Sequence, residues 1–172
     1  MVSWRWRRIP IDLKSIPPAK DVAVEVARWD ARVDKVVNVP IGEARSEYPQ
    51  PRLKSLIEAA MKEATGAELA FMNPGGIRDR LRRGPLVARD VWNVMPFDNT
   101  VVVGKVKGKQ LPASVTAGQT VDPEREYSLA INDFTAANQP TQLGATGLVF
   151  KDTGKLLRDV IIAYIQKRQV LD

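Results

Sequence analysis

Phe71-Met72-Asn73-Pro74-Gly75-Gly76-Ile77-Arg78, with Val91-Trp92-Asn93-Val94-Met95-Pro96-Phe97-Asp98-Asn99 downstream, is the part of this 172-residue chain that carries most information. Residues 67–72 are short and apolar, as a buried strand is, and they run directly into a paired-glycine turn. Two glycines permit positive φ and let a ligand approach the main chain. Asn73 can both donate and accept through its amide, and Arg78 offers a planar fork for a carboxylate, a sugar diol or a base edge. The turn is not a phosphate loop, because it lacks the Lys-Ser/Thr ending, and the dinucleotide glycine pattern also fails.

Outward from that stretch, apolar periodicity alternates between helix and strand. Asp21 stands at the head of a helical pattern with Val22, Val26, Trp29 and Val33 on one stripe. Residues 36–39 read as a short strand ended by Pro40 and Gly42. Pro51 suits a first helical position, Leu53, Leu56, Ile57, Ala60 and Met61 follow the 3.6-residue period, and Gly66 stops that helix. Residues 89–95 read as a short helix, 100–106 as a β-branched strand, 107–109 as a turn and 127–131 as a further strand. Asp152 is placed to cap a last helix with Leu156, Leu157, Val160, Ile161, Tyr164 and Ile165 on its apolar face. Residues 1–20, rich in Trp, Arg and Pro, read as an extended arm or linker from a preceding domain, in which Trp4 and Trp6 share a face and are expected to pack on something. The expectation is one α+β domain over residues 21–172, a mixed β-sheet flanked by helices.

Composition removes several chemistries. With no cysteine there is neither a disulfide nor a thiolate nucleophile. With no histidine, the commonest general base and metal ligand are both missing. The Asp and Glu residues form no ligand-like cluster, so neither a catalytic residue nor a metal site is expected in this chain. A net charge of +6 favours anionic partners in a general way, but the cations are dispersed and no nucleic-acid-reading motif is present. No apolar run approaches the ~18 residues that suggest a membrane span. The basic stretch 1–8 also lacks the apolar core of an export signal.

Taken in order, Asn-x-Gly-Gly-Ile-Arg, Gly84, Asp90-Val91, Met95-Pro96-Phe97-x-Asn99 and Lys107-Gly108 resemble the C-terminal domain of the 5'-nucleotidase family, the metallophosphatases that include UDP-sugar hydrolases and 2',3'-cyclic-nucleotide phosphodiesterases. Ile41-Gly42 with Arg45, Leu56-Ile57-x-x-Ala60-Met61, residues 127–134 and residues 152–159 extend the resemblance over roughly residues 36 to 168. The resemblance implies that phosphate-ester hydrolysis belongs to a separate N-terminal domain holding two divalent metals. This chain would bind the nucleoside or nucleotide and would not be catalytic by itself. It implies an extracytoplasmic location, and it implies substrate contacts from Arg45, Asn73, Gly75, Gly76, Arg78 and a stacking aromatic at Phe134.

The chain departs from the family pattern in three places. A second stacking aromatic would fall near Val101, which cannot stack; Trp92 or Phe97 is the alternative source of that ring, although both read more readily as core packing. Thr135-Ala136-Ala137-Asn138-Gln139-Pro140 stands where a Gly-Gly-Asp-Gly turn is usual, and the segment between Lys109 and Tyr127 is short. These departures keep a second reading open: a non-catalytic interaction module with the fold but no nucleotide pocket. Under the first reading Arg78 and Phe134 face one open cleft. Under the second Phe134 is buried and Arg78 pairs with Asp79 or Asp98.

Overall fold

In the computed structural model, residues 3–10, 16–116 and 118–172 are described. The chain divides into two compact units, residues 1–36 and 37–172. The division lies beyond the expected boundary at residue 20, because helix α1 (Lys20–Val37) buries only Val37. Within the first unit, residues 3–10 form neither helix nor strand, and Trp4 and Trp6 stay exposed instead of packing. Asp21 lies in the first turn of α1, and Trp29 Nε1 donates to Glu25 at 2.7 Å.

The second unit contains two mixed sheets where one was expected. In the smaller, β1 (Pro40–Ala44) lies between β3 (Gly84–Val87), antiparallel to it, and β7 (Val170–Leu171), parallel to it. The expected strand at 36–39 is thus displaced, since Pro40 opens β1 and does not end it. Gly42 sits at a bulge with φ 153°, and a Cβ there would lie 2.7 Å from the Gln169 carbonyl oxygen. Only glycine lets the parallel neighbour approach so closely.

The larger sheet has the order β2-β5-β4-β6, built from Leu69–Ala70, Glu126–Asn132, Thr100–Lys107 and Lys151–Leu156. β2 and β5 are parallel, and the other pairs are antiparallel. Asp152 does not cap a helix. It lies in β6, where it accepts from Thr100 Oγ1 at 3.0 Å and from the Gly154 amide at 2.8 Å. The open edge of β4 takes residues 151–156 as its partner strand, and the last helix, α7 (Leu157–Arg168), starts only after it.

Strand alternation divides the core between the two faces of this sheet. Val101 and Ala130 join a cluster with Leu53, Ile57 and Met61 of α2 (Gln50–Thr65) and Leu157, Ile161 and Ile165 of α7. Val91 and Val94 of α3 (Ala88–Val94) complete that side. Val102, Val106, Leu129 and Ile131 face the opposite way, onto Phe71, Val115 of α4 (Ala113–Thr116), Leu143 and Leu148. Two short helices follow β5, α5 (Asp133–Ala137) and α6 (Gln139–Gln142), so the residues standing in place of the expected aspartate turn are largely helical.

Candidate functional site

The site is built where the parallel pair β2–β5 ends. Loops at the carboxyl ends of parallel strands are the usual place for a ligand in sheets of this kind. Asn73 comes three residues after the end of β2 and Asn132 closes β5, so the ladder that pairs Ala70 with Ala130 also brings the two amides together. Asn73 is 3% exposed, and its Oδ1 accepts from Asn132 Nδ2 at 3.0 Å and from Thr135 Oγ1 at 3.3 Å. Asn132 Oδ1 in turn caps α5 by accepting the Thr135 amide at 2.9 Å. With its oxygen used twice, Asn73 has its Nδ2 hydrogens left to offer a ligand.

Pro74–Gly76 coils into one 3-10 turn, closed by the Gly76 amide on the Asn73 carbonyl at 3.1 Å. Gln50 of α2 braces it from outside through the Pro74 carbonyl at 2.9 Å. Contrary to expectation, neither Gly75 nor Gly76 has positive φ. Gly76 is instead tight: a Cβ there would lie 3.2 Å from Asn73 Oδ1 and 2.5 Å from the end of the Met72 side chain.

Asn73, Gly75, Gly76 and Arg78 line a cleft of about 410 Å³, together with Phe97, Asn99, Asn132, Phe134 and Gln142. Phe134 is 46% exposed and Phe97 43%. This corrects the reading of Phe97 as core packing. Val101 is fully buried, four residues beyond the ring that faces the cleft. Among the described residues Arg78 has no carboxylate partner; its Nη1 donates to the Gly75 carbonyl at 3.2 Å. Asp79 is taken by Arg82 and the Arg80 amide, and Asp98 by Arg158. Among the described residues Arg78 is the one charged side chain lining the cleft, beside four amides and two aromatic rings. That combination suits a flat, polar-edged ring carrying an anionic substituent.

Arg45 does not reach this cleft: its guanidinium pairs with Asp172 at 2.8 Å. Trp92 also lies elsewhere, beneath Arg158. Sequence reasoning missed Asn99, Asn132 and Gln142 as lining residues. The Asn99 of the Pro96-Phe97-x-Asn99 motif was the available signal. Asn99 Nδ2 donates to Asp133 at 2.6 Å, which turns its oxygen toward other partners. A larger, more open groove of about 620 Å³ lies between α2 and α7, but small apolar residues such as Ala60, Ala64, Val160 and Ala163 line much of it. Its lysines are engaged, Lys155 with the Ala64 carbonyl and Lys167 with Glu63. Among the described residues no group of three or more Asp and Glu is placed to hold a metal ion.

Comparison with known proteins gives this geometry a context. The family model described as "5'-nucleotidase, C-terminal domain" matches residues 32–116. Protein UshA of Escherichia coli (strain K12) is 30% identical over 160 residues, covering 73% of this chain and 29% of its own length. The chain belongs to the 5'-nucleotidase C-terminal domain family. Endonuclease YhcR of Bacillus subtilis (strain 168) is 23% identical over 198 residues, covering 91% of this chain and 16% of its own. The 5'-nucleotidase precursor from Thermus thermophilus shares the fold, with a TM-score of 0.73 at 23% identity over 90% of this chain and 42% of that one. The chain thus spans less than half the length of each of these relatives. Among the described residues no helix is long and apolar enough to cross a membrane.

Proposed function

We propose that this domain recognises the nucleoside part of a nucleotide for a two-domain, metal-dependent phosphohydrolase, and that hydrolysis is performed by an N-terminal metallophosphatase domain carrying two divalent metals. The observation that carries the reading is the convergence on one amide-lined cleft of Phe97, Phe134 and Arg78, which has no carboxylate partner among the described residues. The rings offer π-faces to a base, Asn73 offers a donor to its edge, and Arg78 offers a charged fork to a sugar or phosphate oxygen. Stacking on an aromatic side chain contributes about 1–3 kcal/mol per base, so the isolated domain binds weakly and the partner domain supplies the rest. Relatives named 5'-nucleotidase support the substrate class, and the same kinship supports an extracytoplasmic setting.

The alternative, an interaction module that has lost the pocket, requires a buried Phe134 and a paired Arg78. Their exposure and freedom favour the binding role. Titrating adenosine, AMP and UDP-glucose into the ¹⁵N-labelled chain tests the proposal. Saturable shifts at the amides of Asn73, Gly75, Gly76, Ile77 and Arg78 and at Phe97 and Phe134 are expected, without hydrolysis in any divalent metal. Silence of those amides with all three ligands would sink the binding role. Phosphatase activity that purifies with the chain would sink the division of labour.

A further inference from the structure

Phe97 and Asn99 reach the cleft from an irregular segment between α3 and β4, so something must hold that segment in place. Neither the Phe97 carbonyl nor the Asp98 carboxylate has a hydrogen-bond partner among the described residues other than Arg158. Arg158, in the first turn of α7, sends Nη1 to the Phe97 carbonyl at 2.9 Å and Nη2 to Asp98 Oδ1 at 2.6 Å. Its guanidinium lies over the Trp92 ring of α3, its carbon 3.7 Å from the centroid. The side chain is only 4% exposed, and Nε has no hydrogen-bond partner among the described residues. A guanidinium buried with one nitrogen unsatisfied is a poor choice for stability alone, since apolar residues of similar volume commonly do as well. Its planar fork does what they cannot: it grips a backbone carbonyl and a carboxylate on adjacent residues at once. Beside it, the Leu157 amide donates to the Asn99 carbonyl at 2.8 Å.

We infer that Arg158 is a positioning residue for the binding cleft, fixing the Phe97 wall from behind without touching the ligand. The inference rests on the cleft's binding a base, as proposed above, but it has a test that needs no ligand. ¹⁵N relaxation of the free chain is expected to show Phe97, Asp98 and Asn99 as ordered as β4. In Arg158→Met those three amides gain fast motion while residues 73–78 do not. The dissociation constant for adenosine then rises about tenfold, comparable to the loss of one charged hydrogen bond. Arg158→Lys keeps a charge toward Asp98 but not the fork, and recovers part of that loss. Asp98→Ala, at an exposed side chain, leaves Arg158 in place and covers the case in which Arg158→Met does not fold. It is expected to loosen the same three amides and weaken binding about threefold. An ordered loop in the folded variants, with affinities within about twofold of the parent, overturns the inference. If the parent chain binds no nucleoside at all, the proposed function fails, and the ligand-free relaxation data still decide whether Arg158 holds the loop.

Discussion

Phe97 and Phe134 project from opposite sides of the sequence into one cleft while each leaves nearly half its surface to solvent. Rings that exposed contribute little to the core, so function and stability separate cleanly here. Phe97→Ala and Phe134→Ala are each expected to weaken adenosine binding about 5- to 150-fold, the equivalent of ~1–3 kcal/mol of lost stacking. Their melting temperatures should stay close to the parent's, and titration calorimetry beside a thermal melt reads both quantities. Asn73 behaves in the opposite way. It is buried, and two donors, Asn132 Nδ2 and Thr135 Oγ1, depend on its oxygen. Asn73→Ala strands both and is expected to cost about 1–3 kcal/mol in urea unfolding as well as abolishing the contact with the base edge. The residue types were legible in the sequence at this scale, but the use of each was not. Phe97 reads as core because an aromatic after Met95-Pro96 fits a buried turn as well as a pocket wall. Only the direction of the chain leaving α3 turns it outward.

At the scale of elements, two glutamates tie pieces together in ways that make stability depend on acid. Glu63 of α2 holds Lys167 and Arg168 of α7, each at 2.8 Å, and those hydrogen bonds keep its carboxyl below its ordinary value of 4.5. Glu68 accepts the Ser128 amide at 3.1 Å, which lowers its pKa first, with Arg125 adding to the effect, and so it ties the start of β2 to β5, at the end of the pair away from the cleft. Carboxylates with lowered folded-state pKa values contribute stability that is complete above 4.5 and is lost as pH falls through the lowered values. The melting temperature is therefore expected to drop as pH falls below about 4.5, with a shallower slope in Glu63→Gln and Glu68→Gln. Both sites are open to solvent, so the effects are small and shrink in salt. Helix α2 was readable from its period, its early proline and Gly66. The start of the last helix was not. Asp152-Thr153-Gly154 looks like a cap in one dimension, yet the unpaired edge of β4 offers those residues a ladder, and the ladder wins.

For the whole molecule, residues 37–172 hold both core clusters, the larger one spanning α2, α3 and α7, and α1 buries only its last residue. A chain of residues 37–172 is expected to keep the melting temperature of the full chain within a few degrees and to bind adenosine equally well. A collapse of either would show that residues 1–36 take part in the fold. Ile161, 1% exposed within that core, is the reverse case: Ile161→Ala is expected to cost about 2–5 kcal/mol in urea unfolding. Much was determined by the sequence alone: the missing histidine and cysteine, the α+β alternation, the helix α2, and the Asn-x-Gly-Gly-Ile-Arg turn with its arginine. These are local matters of side-chain chemistry, period and backbone freedom. The split into two sheets, the pairing of Arg45 with Asp172, the outward turn of Phe97 and the buried fork of Arg158 were decided by the tertiary structure. Each joins residues distant in sequence, and which partner a strand edge, a ring or a guanidinium finds depends on packing that no short stretch contains.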